Sequence, residues 1–322
     1  MKILDAEMTR ALLPFDGLID ALNQGFRTGC VSPIRHHHTI DRNNEPDATL
    51  LLMPAWSHSR DDPSYLGVKI VMVVPGNTAR GLPGLTSTYI LYDGVSGAQL
   101  ALLDGNVITA RRTVATSALA ARYLSREDSK TLLVIGSGRV ASLLPQAYRA
   151  VRPIERVLVW DIDAARADRF VETLRSSGMK AEVVSDLETA VSTADIVTAA
   201  TLATEPLVKG AWVRPGTHID LIGGFTPRMR EADDDAVVMS SVFIDTLEAL
   251  IESGDLTQPL AAGIIGRSHV RATLADLAAG KNPGRTNREE ITYFKAVGSA
   301  LADIVAARMV YEAASGAGVS AR

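Results

Sequence analysis

The sequence predicts an α/β protein in which a parallel, helix-wound sheet follows a mainly antiparallel one. Three observations predict it. Over the first third, strand-like segments are separated by turn residues with few helices between them. From about Ala118, strands alternate with helical stretches. A glycine-rich loop then joins an apolar strand to a helix. With 322 residues, 47% of them apolar and 22% charged, the chain can bury a large core and suggests about two domains.

The first stretch opens with a helical pattern in which Leu12, Phe15, Leu18, Ile19, Leu22 and Phe26 recur at three- and four-residue spacing. Strands are expected at 49–54, 65–74, 86–92 and 98–104, divided by Pro75-Gly76-Asn77, Gly81-Leu82-Pro83-Gly84 and Asp93-Gly94. The second stretch carries apolar strands at 131–135, 156–160, 181–184, 196–200, 218–222 and 242–245, with helices from Arg139 and over 164–176. A long helix is expected over 288–314, with Thr286 as its cap and Ile291, Phe294, Val297, Leu301, Ile304, Val305, Met309 and Tyr311 along one side. The tail after Ser315 is expected to be loose.

Composition excludes several classes of function. The formal net charge of −4 argues against a nucleic-acid surface. No run reaches the roughly 18 apolar residues of a membrane span. Asp5 and Glu7 stand where a secretory signal would need apolar residues, so a cytoplasmic setting is expected. The one cysteine, Cys30, leaves no internal disulfide and no cysteine-based zinc site.

The sharpest motif is Gly136-Ser137-Gly138-Arg139-Val140-Ala141, a G-x-G-x-x-A directly after the strand at 131–135. Gly136 permits a tight turn, Gly138 lets the backbone approach a pyrophosphate, and Ala141 is small enough for helix to pack on strand. Asp161 ends the next strand, 23 residues beyond Gly138, where a carboxylate accepts hydrogen bonds from ribose hydroxyls and repels a 2′-phosphate. These residues predict a Rossmann domain that binds NAD(H). Arg139 could pair with a phosphate, so NADP(H) stays open. Pro145 should distort the first helix, since it removes a donor.

Three cations point to an anionic ligand. Lys69 lies inside an apolar strand on the same face as Val71 and Val73, where an amine has either a lowered pKa or an anionic partner. Arg111 and Arg112 precede a run of small helical residues, and an arginine at such an entry can fork onto a carboxylate. Arg35, in Ser32-Pro33-Ile34-Arg35, is ambiguous alone. His36, His37 and His38 alternate faces on an extended strand and cannot converge on one ion, so no metal site is expected.

Pro33-Ile-Arg35, Gly67-Val-Lys69, the segment from Thr109 through Arg112 to Ser117, Gly136-Ser-Gly138 and the segment from Ile291 to Gly298 stand in an order that resembles the ornithine cyclodeaminase/mu-crystallin family over nearly the full length. The resemblance implies a substrate-binding and dimerisation domain of α+β type, formed by 1–117 and 289–322, around a Rossmann domain at 118–288. It implies a homodimer. It also implies that Arg35, Lys69 and Arg112 hold the carboxylate of an amino acid or cyclic imino acid. Thr86, Arg112, Thr113 and Thr201 should lie near the cofactor, with Gly223 beside them. Cyclodeaminases of the family carry an aspartate after a Gly-Gly pair. Here Gly223-Gly224 is followed by Phe225 and Thr226, and Phe225 can neither take a proton nor anchor an ammonium. The segment Gly-Gly-Phe-Thr-Pro-x-Met-Arg-Glu looks instead like the imine-reducing branch, in which Phe225 and Thr226 would line the substrate.

The expected activity is therefore NAD(P)H-dependent reduction of a cyclic imino acid, Δ1-pyrroline-2-carboxylate to L-proline. Lys69 either donates the proton to the imine nitrogen or completes the carboxylate clamp. Ornithine cyclodeamination, alanine dehydrogenation and non-catalytic cofactor binding like that of mu-crystallin are the alternatives.

Overall fold

A computed structural model describes residues 1–58 and 63–316. The segments 59–62 and 317–322, which include most of the tail after Ser315, lie outside the described residues. The chain divides into two compact units: residues 1–112 with 299–322, and residues 113–298.

The first unit is built on one mixed sheet. Its strands are β1 (Lys2–Leu4), β2 (His36–Ile40), β3 (Ala48–Trp56), β4 (Tyr65–Val73), β5 (Leu85–Asp93) and β6 (Gln99–Asp104). Their order among the described residues is β1-β6-β5-β4-β3-β2, antiparallel throughout except for β1 on β6. The hairpins follow the turn residues of the sequence, as expected where no helix is available to cross between neighbours. The edge strand β1 was not anticipated, being only three residues long, whereas β2 contains the extended His36-His37-His38 segment and is exposed along its whole length, so neither carries an alternating apolar signal. The helix Phe15–Thr28 buries Phe15, Leu18, Ile19, Leu22 and Phe26 as the periodicity predicts, whereas Leu12 caps the preceding short helix Ala6–Ala11. The C-terminal helix Ala300–Ala314 packs on β3 to β6 and on Phe15–Thr28.

The second unit has a parallel sheet of β7 (Thr131–Ile135), β8 (Arg156–Trp160), β9 (Ala181–Val183), β10 (Ile196–Ala199), β11 (His218–Leu221), β12 (Ser241–Ile244), β13 (Val270–Thr273) and β14 (Thr292–Lys295). The order is β13-β12-β14-β11-β10-β7-β8-β9. The run β9-β8-β7-β10-β11 is the 3-2-1-4-5 order of a Rossmann sheet. Of these, β7, β8 and β10 are mostly buried and apolar, as strands covered on both faces must be, and β11 is fully buried but carries His218 and Asp220.

Several expectations need correction. Residues 288–299 are not the start of the last helix. Thr292–Lys295 is β14, fully buried between β11 and β12. Asp245 accepts hydrogen bonds from the Val297 and Gly298 amides, Gly298 turns the chain at φ +83°, and Ser299 caps the helix that follows. Thr286 instead donates to Glu290 from both its amide and its hydroxyl. Because β14 completes the parallel sheet, the segment 289–298 lies with the second unit and the boundary falls at Gly298. The other boundary falls between Arg112 and Thr113, inside a helix that spans Gly105–Leu124. That helix begins earlier than expected because Asp104 accepts a hydrogen bond from the Val107 amide. No regular helix starts at Arg139: a turn and a 3₁₀ segment, Ala141–Leu143, precede the α-helix Leu144–Arg149, with Pro145 in its first turn. There its fixed φ suits a helix start and its missing N–H leaves no intrahelical bond unmade.

Candidate active-site groups

In the first unit, Lys69 occupies a row of buried residues that runs across the sheet, Met53–Lys69–Tyr89–Leu103, one from each of β3 to β6. The C-terminal helix covers this face and delivers Asp303 to it. The Lys69 ammonium lies 2.7 Å from Asp303 Oδ2, and the Arg112 Nε donates to Asp303 Oδ1 at 2.8 Å. All three side chains are buried. Thus one carboxylate from the end of the chain holds together two cations that are far from it in sequence.

Electrostatics follow from this arrangement. Desolvation lowers the Lys69 pKa to about 8; Asp303 opposes that shift, while Arg112 and Arg35 add to it. Burial pushes the Asp303 carboxyl up, but Arg112 and Lys69 outweigh burial and hold it below the usual carboxylate range. Arg35, half-buried just before β2, is thus close enough for its charge to act on Lys69. The Tyr89 hydroxyl is buried beside the cluster, and burial together with Asp303 raises its pKa well above the ordinary value. Thr86 does not join them. It is exposed, and its register partner Met72 places it on the opposite face from the Lys69–Tyr89 row.

In the second unit, the loop after β7 carries the dinucleotide motif. Gly136 has φ +104°, and a Cβ there would stand 2.9 Å from the Ala200 carbonyl oxygen. A Cβ on Gly138 would meet nothing within 4 Å, so the backbone is open where a pyrophosphate would approach. Arg139 is exposed and Val140 half-buried in the turn that follows. The Ser137 hydroxyl donates to Asp161 Oδ2 at 2.6 Å, and the Asp163 amide donates to Asp161 Oδ1 at 2.9 Å. The acid is thereby fixed at the end of β8, and these residues fit a dinucleotide with a free ribose diol.

Thr201 follows β10 and Gly223 follows β11, at the carboxyl ends of neighbouring strands. A Cβ on Gly223 would stand 2.0 Å from the Thr201 carbonyl oxygen, so only glycine permits this approach. Phe225 is 44% exposed and Thr226 half-buried in the same loop. Thr113 is half-buried on the helix Gly105–Leu124.

Sequence reasoning missed two acids, Asp303 and Glu231. Asp303 shares one helical face with Ala300, Ala307 and Val310. A lone charge at an apolar position was the available signal. Glu231 is fully buried and accepts hydrogen bonds from Thr201 and from the Gly223 and Gly224 amides. Its signal was weaker, since it stands inside a polar stretch that runs on to Asp235. No helix among the described residues is long and apolar enough to cross a membrane.

Comparison with known proteins gives a consistent result. The model of the ornithine cyclodeaminase/mu-crystallin family matches residues 3–318. A Δ1-pyrroline-2-carboxylate reductase of Paracoccus denitrificans is 38% identical over 295 residues, covering 89% of this chain and 92% of that protein. The structure of the Thermococcus litoralis Δ1-pyrroline-2-carboxylate reductase in complex with NADH and L-proline superposes with a TM-score of 0.92 at 36% identity, covering all of both chains. An archaeal alanine dehydrogenase dimer with bound NAD superposes with a TM-score of 0.89 at 31% identity, covering 100% of this chain and 98% of that one.

Proposed function

The chain belongs to the ornithine cyclodeaminase/mu-crystallin family, and on that premise we propose that it is an oxidoreductase that reduces Δ1-pyrroline-2-carboxylate to L-proline with NADH. The observation that carries the reading is the convergence of Lys69 and Arg112 on one buried carboxylate, a cation-rich cluster suited to a small anionic substrate. Similarity to reductases that carry this name, one of them bound to NADH and L-proline, supports the same choice.

When bound, NADH supplies a hydride to the imine carbon. Arg112 and Arg35 hold the ring carboxylate with charge-assisted hydrogen bonds, each contributing about 1.5–3 kcal/mol. Lys69, with its pKa near 8, is mostly an ammonium at neutral pH and gives its proton to the ring nitrogen. One C=N double bond thus becomes a CH–NH single bond, with the hydride on carbon and the proton on nitrogen. Asp303 keeps the ammonium and guanidinium in place before the substrate arrives. Asp161 and the open backbone at Gly138 hold the cofactor's adenosine half. Phe225 offers an apolar wall, which suits a pyrroline ring better than the charged side chain of ornithine. The protein acts as a homodimer.

The test is cofactor oxidation with pyrroline- and piperideine-2-carboxylate, each with NADH and NADPH, alongside ornithine alone and pyruvate plus ammonia. The expected outcome is the fastest turnover with Δ1-pyrroline-2-carboxylate and NADH, with L-proline as product. Ammonia release from ornithine without net cofactor oxidation, or no turnover on either cyclic imine, overturns the assignment.

A further inference from the structure

Behind the ends of β10 and β11 lies a second buried ion cluster. Glu231 Oε1 accepts from the Thr201 amide at 2.7 Å and from its hydroxyl at 2.8 Å. Glu231 Oε2 accepts from the Gly223 amide at 2.8 Å and the Gly224 amide at 3.3 Å. Its own backbone is fixed in turn, because Asp255 Oδ1 accepts from the Glu231 and Ala232 amides. The Lys295 ammonium, at the end of β14, lies 2.9 Å from Asp255 and 3.9 Å from Glu231. All three charged side chains are buried.

A single carboxylate therefore fastens two loops that follow adjacent parallel strands, at the carboxyl ends of the strands, where α/β proteins bind their ligands. Without it, four donors at these loops would lose their acceptor. We propose that Glu231 is a positioning residue: its ionised carboxylate holds the Thr201 and Gly223-Gly224 loops in the arrangement that binds the nicotinamide cofactor. This rests on the cofactor reading above and adds to it a residue that touches neither cofactor nor substrate. Nothing about the carboxylate suggests a reacting group, since both oxygens are already occupied by backbone and hydroxyl donors.

The proton on Glu231 is the switch that makes the idea testable. Burial pushes its pKa up to about 7, with Asp255 adding to the rise and Lys295 and Thr201 opposing it. Tyr293, from β14, and Asp220, from β11, are further titratable groups that feel this cluster. A protonated Glu231 presents one hydroxyl to donors that need an acceptor. The arrangement is complete above about pH 7 and loosens as pH falls through it.

The experiment measures two quantities on the full chain: NADH affinity by fluorescence between about pH 6 and pH 8, and amide hydrogen exchange without cofactor. In Glu231→Gln, the amides of Thr201, Gly223 and Gly224 should exchange at least about tenfold faster. The NADH Kd should rise at least about tenfold and lose the pH dependence that the wild type shows. Thr201→Val, which removes only the hydroxyl contact, should raise the Kd a few-fold. If Glu231→Gln does not fold, Thr201→Val and the wild-type pH series decide the matter alone. Unchanged Kd and protection in Glu231→Gln overturn the proposal. So does a wild-type Kd flat across pH together with an unaltered Thr201→Val. Failure to bind NADH at any pH overturns this proposal and the cofactor reading together. NADH binding without turnover on any imine sinks only the reaction.

Discussion

The two buried ion clusters have opposite compositions. In the first unit two cations, Lys69 and Arg112, share one carboxylate, Asp303. In the second, two carboxylates, Glu231 and Asp255, share one ammonium, Lys295. Burying a charge costs several kcal/mol unless partners compensate it, so each cluster must make up the imbalance. The acid-rich cluster does so with backbone amides of its own loops, and its purpose is met within the fold. The cation-rich cluster is suited to accept a further anion from outside, which is the role proposed for the substrate carboxylate. Charge of one sign at a buried site is thus read by what completes it.

The largest effect should come from removing the shared partner. Asp303→Asn leaves two buried cations facing one another and should cost about 3–5 kcal/mol of stability, read as a lower denaturation midpoint. Lys295→Met should cost a similar ~3–5 kcal/mol, since it leaves two buried acids. The contrast appears in rates: Asp303→Asn also shifts the pH profile of turnover to lower pH, because it takes from Lys69 the charge that favours the ammonium.

Next comes Arg112→Ala, which should lower kcat/KM for the imine by roughly 2–5 kcal/mol, on the order of 30-fold to several thousand-fold. An unchanged kcat/KM would make the cluster a structural pair like its counterpart.

A smaller and graded effect comes from pH. If Lys69 donates the proton, turnover falls as pH rises through about 8, by about tenfold per unit well above it. Stability responds with the opposite sign. Between about 8 and the ordinary value of 10.5 the unfolded chain binds more protons, so the contribution of this group to stability grows as pH rises. A rate that holds level to pH 10 would assign the proton to another donor. The smallest effect is expected for Phe225→Asp. Its position is 44% exposed, so stability should change little, while KM for the pyrroline should rise several-fold.

The contrast between the clusters also explains what could be read in the chain. Lys69 was legible because a charge within a period-two apolar strand violates its own pattern, and the dinucleotide loop because glycine spacing answers to backbone geometry. Asp303 was not legible, because Lys69 and Arg112 lie far away in sequence and only the folded sheet brings them to it; Glu231 was not, because its role as shared acceptor for Thr201 and for Gly223-Gly224 exists only once β10 and β11 lie side by side. The misreading of 288–299 has a different cause. Ile291, Phe294 and Val297 continue the three- and four-residue spacing of the last helix, yet a fully buried strand tolerates apolar residues at any spacing. Gly298 at positive φ and the side-chain cap from Ser299 divide the two elements. The divided first unit was accessible only through family resemblance, since nothing in the local pattern ties the last helix to β3 and β4.

The most direct test of the cation-rich cluster is chemical rescue of Lys69→Ala in steady-state reduction of Δ1-pyrroline-2-carboxylate at saturating NADH. The account predicts a loss on the order of 10²–10⁴-fold in kcat, partly restored by added methylammonium and not by a tetramethylammonium salt, which carries no proton to give. A Lys69→Ala variant that is folded and turns over at the wild-type rate would contradict it.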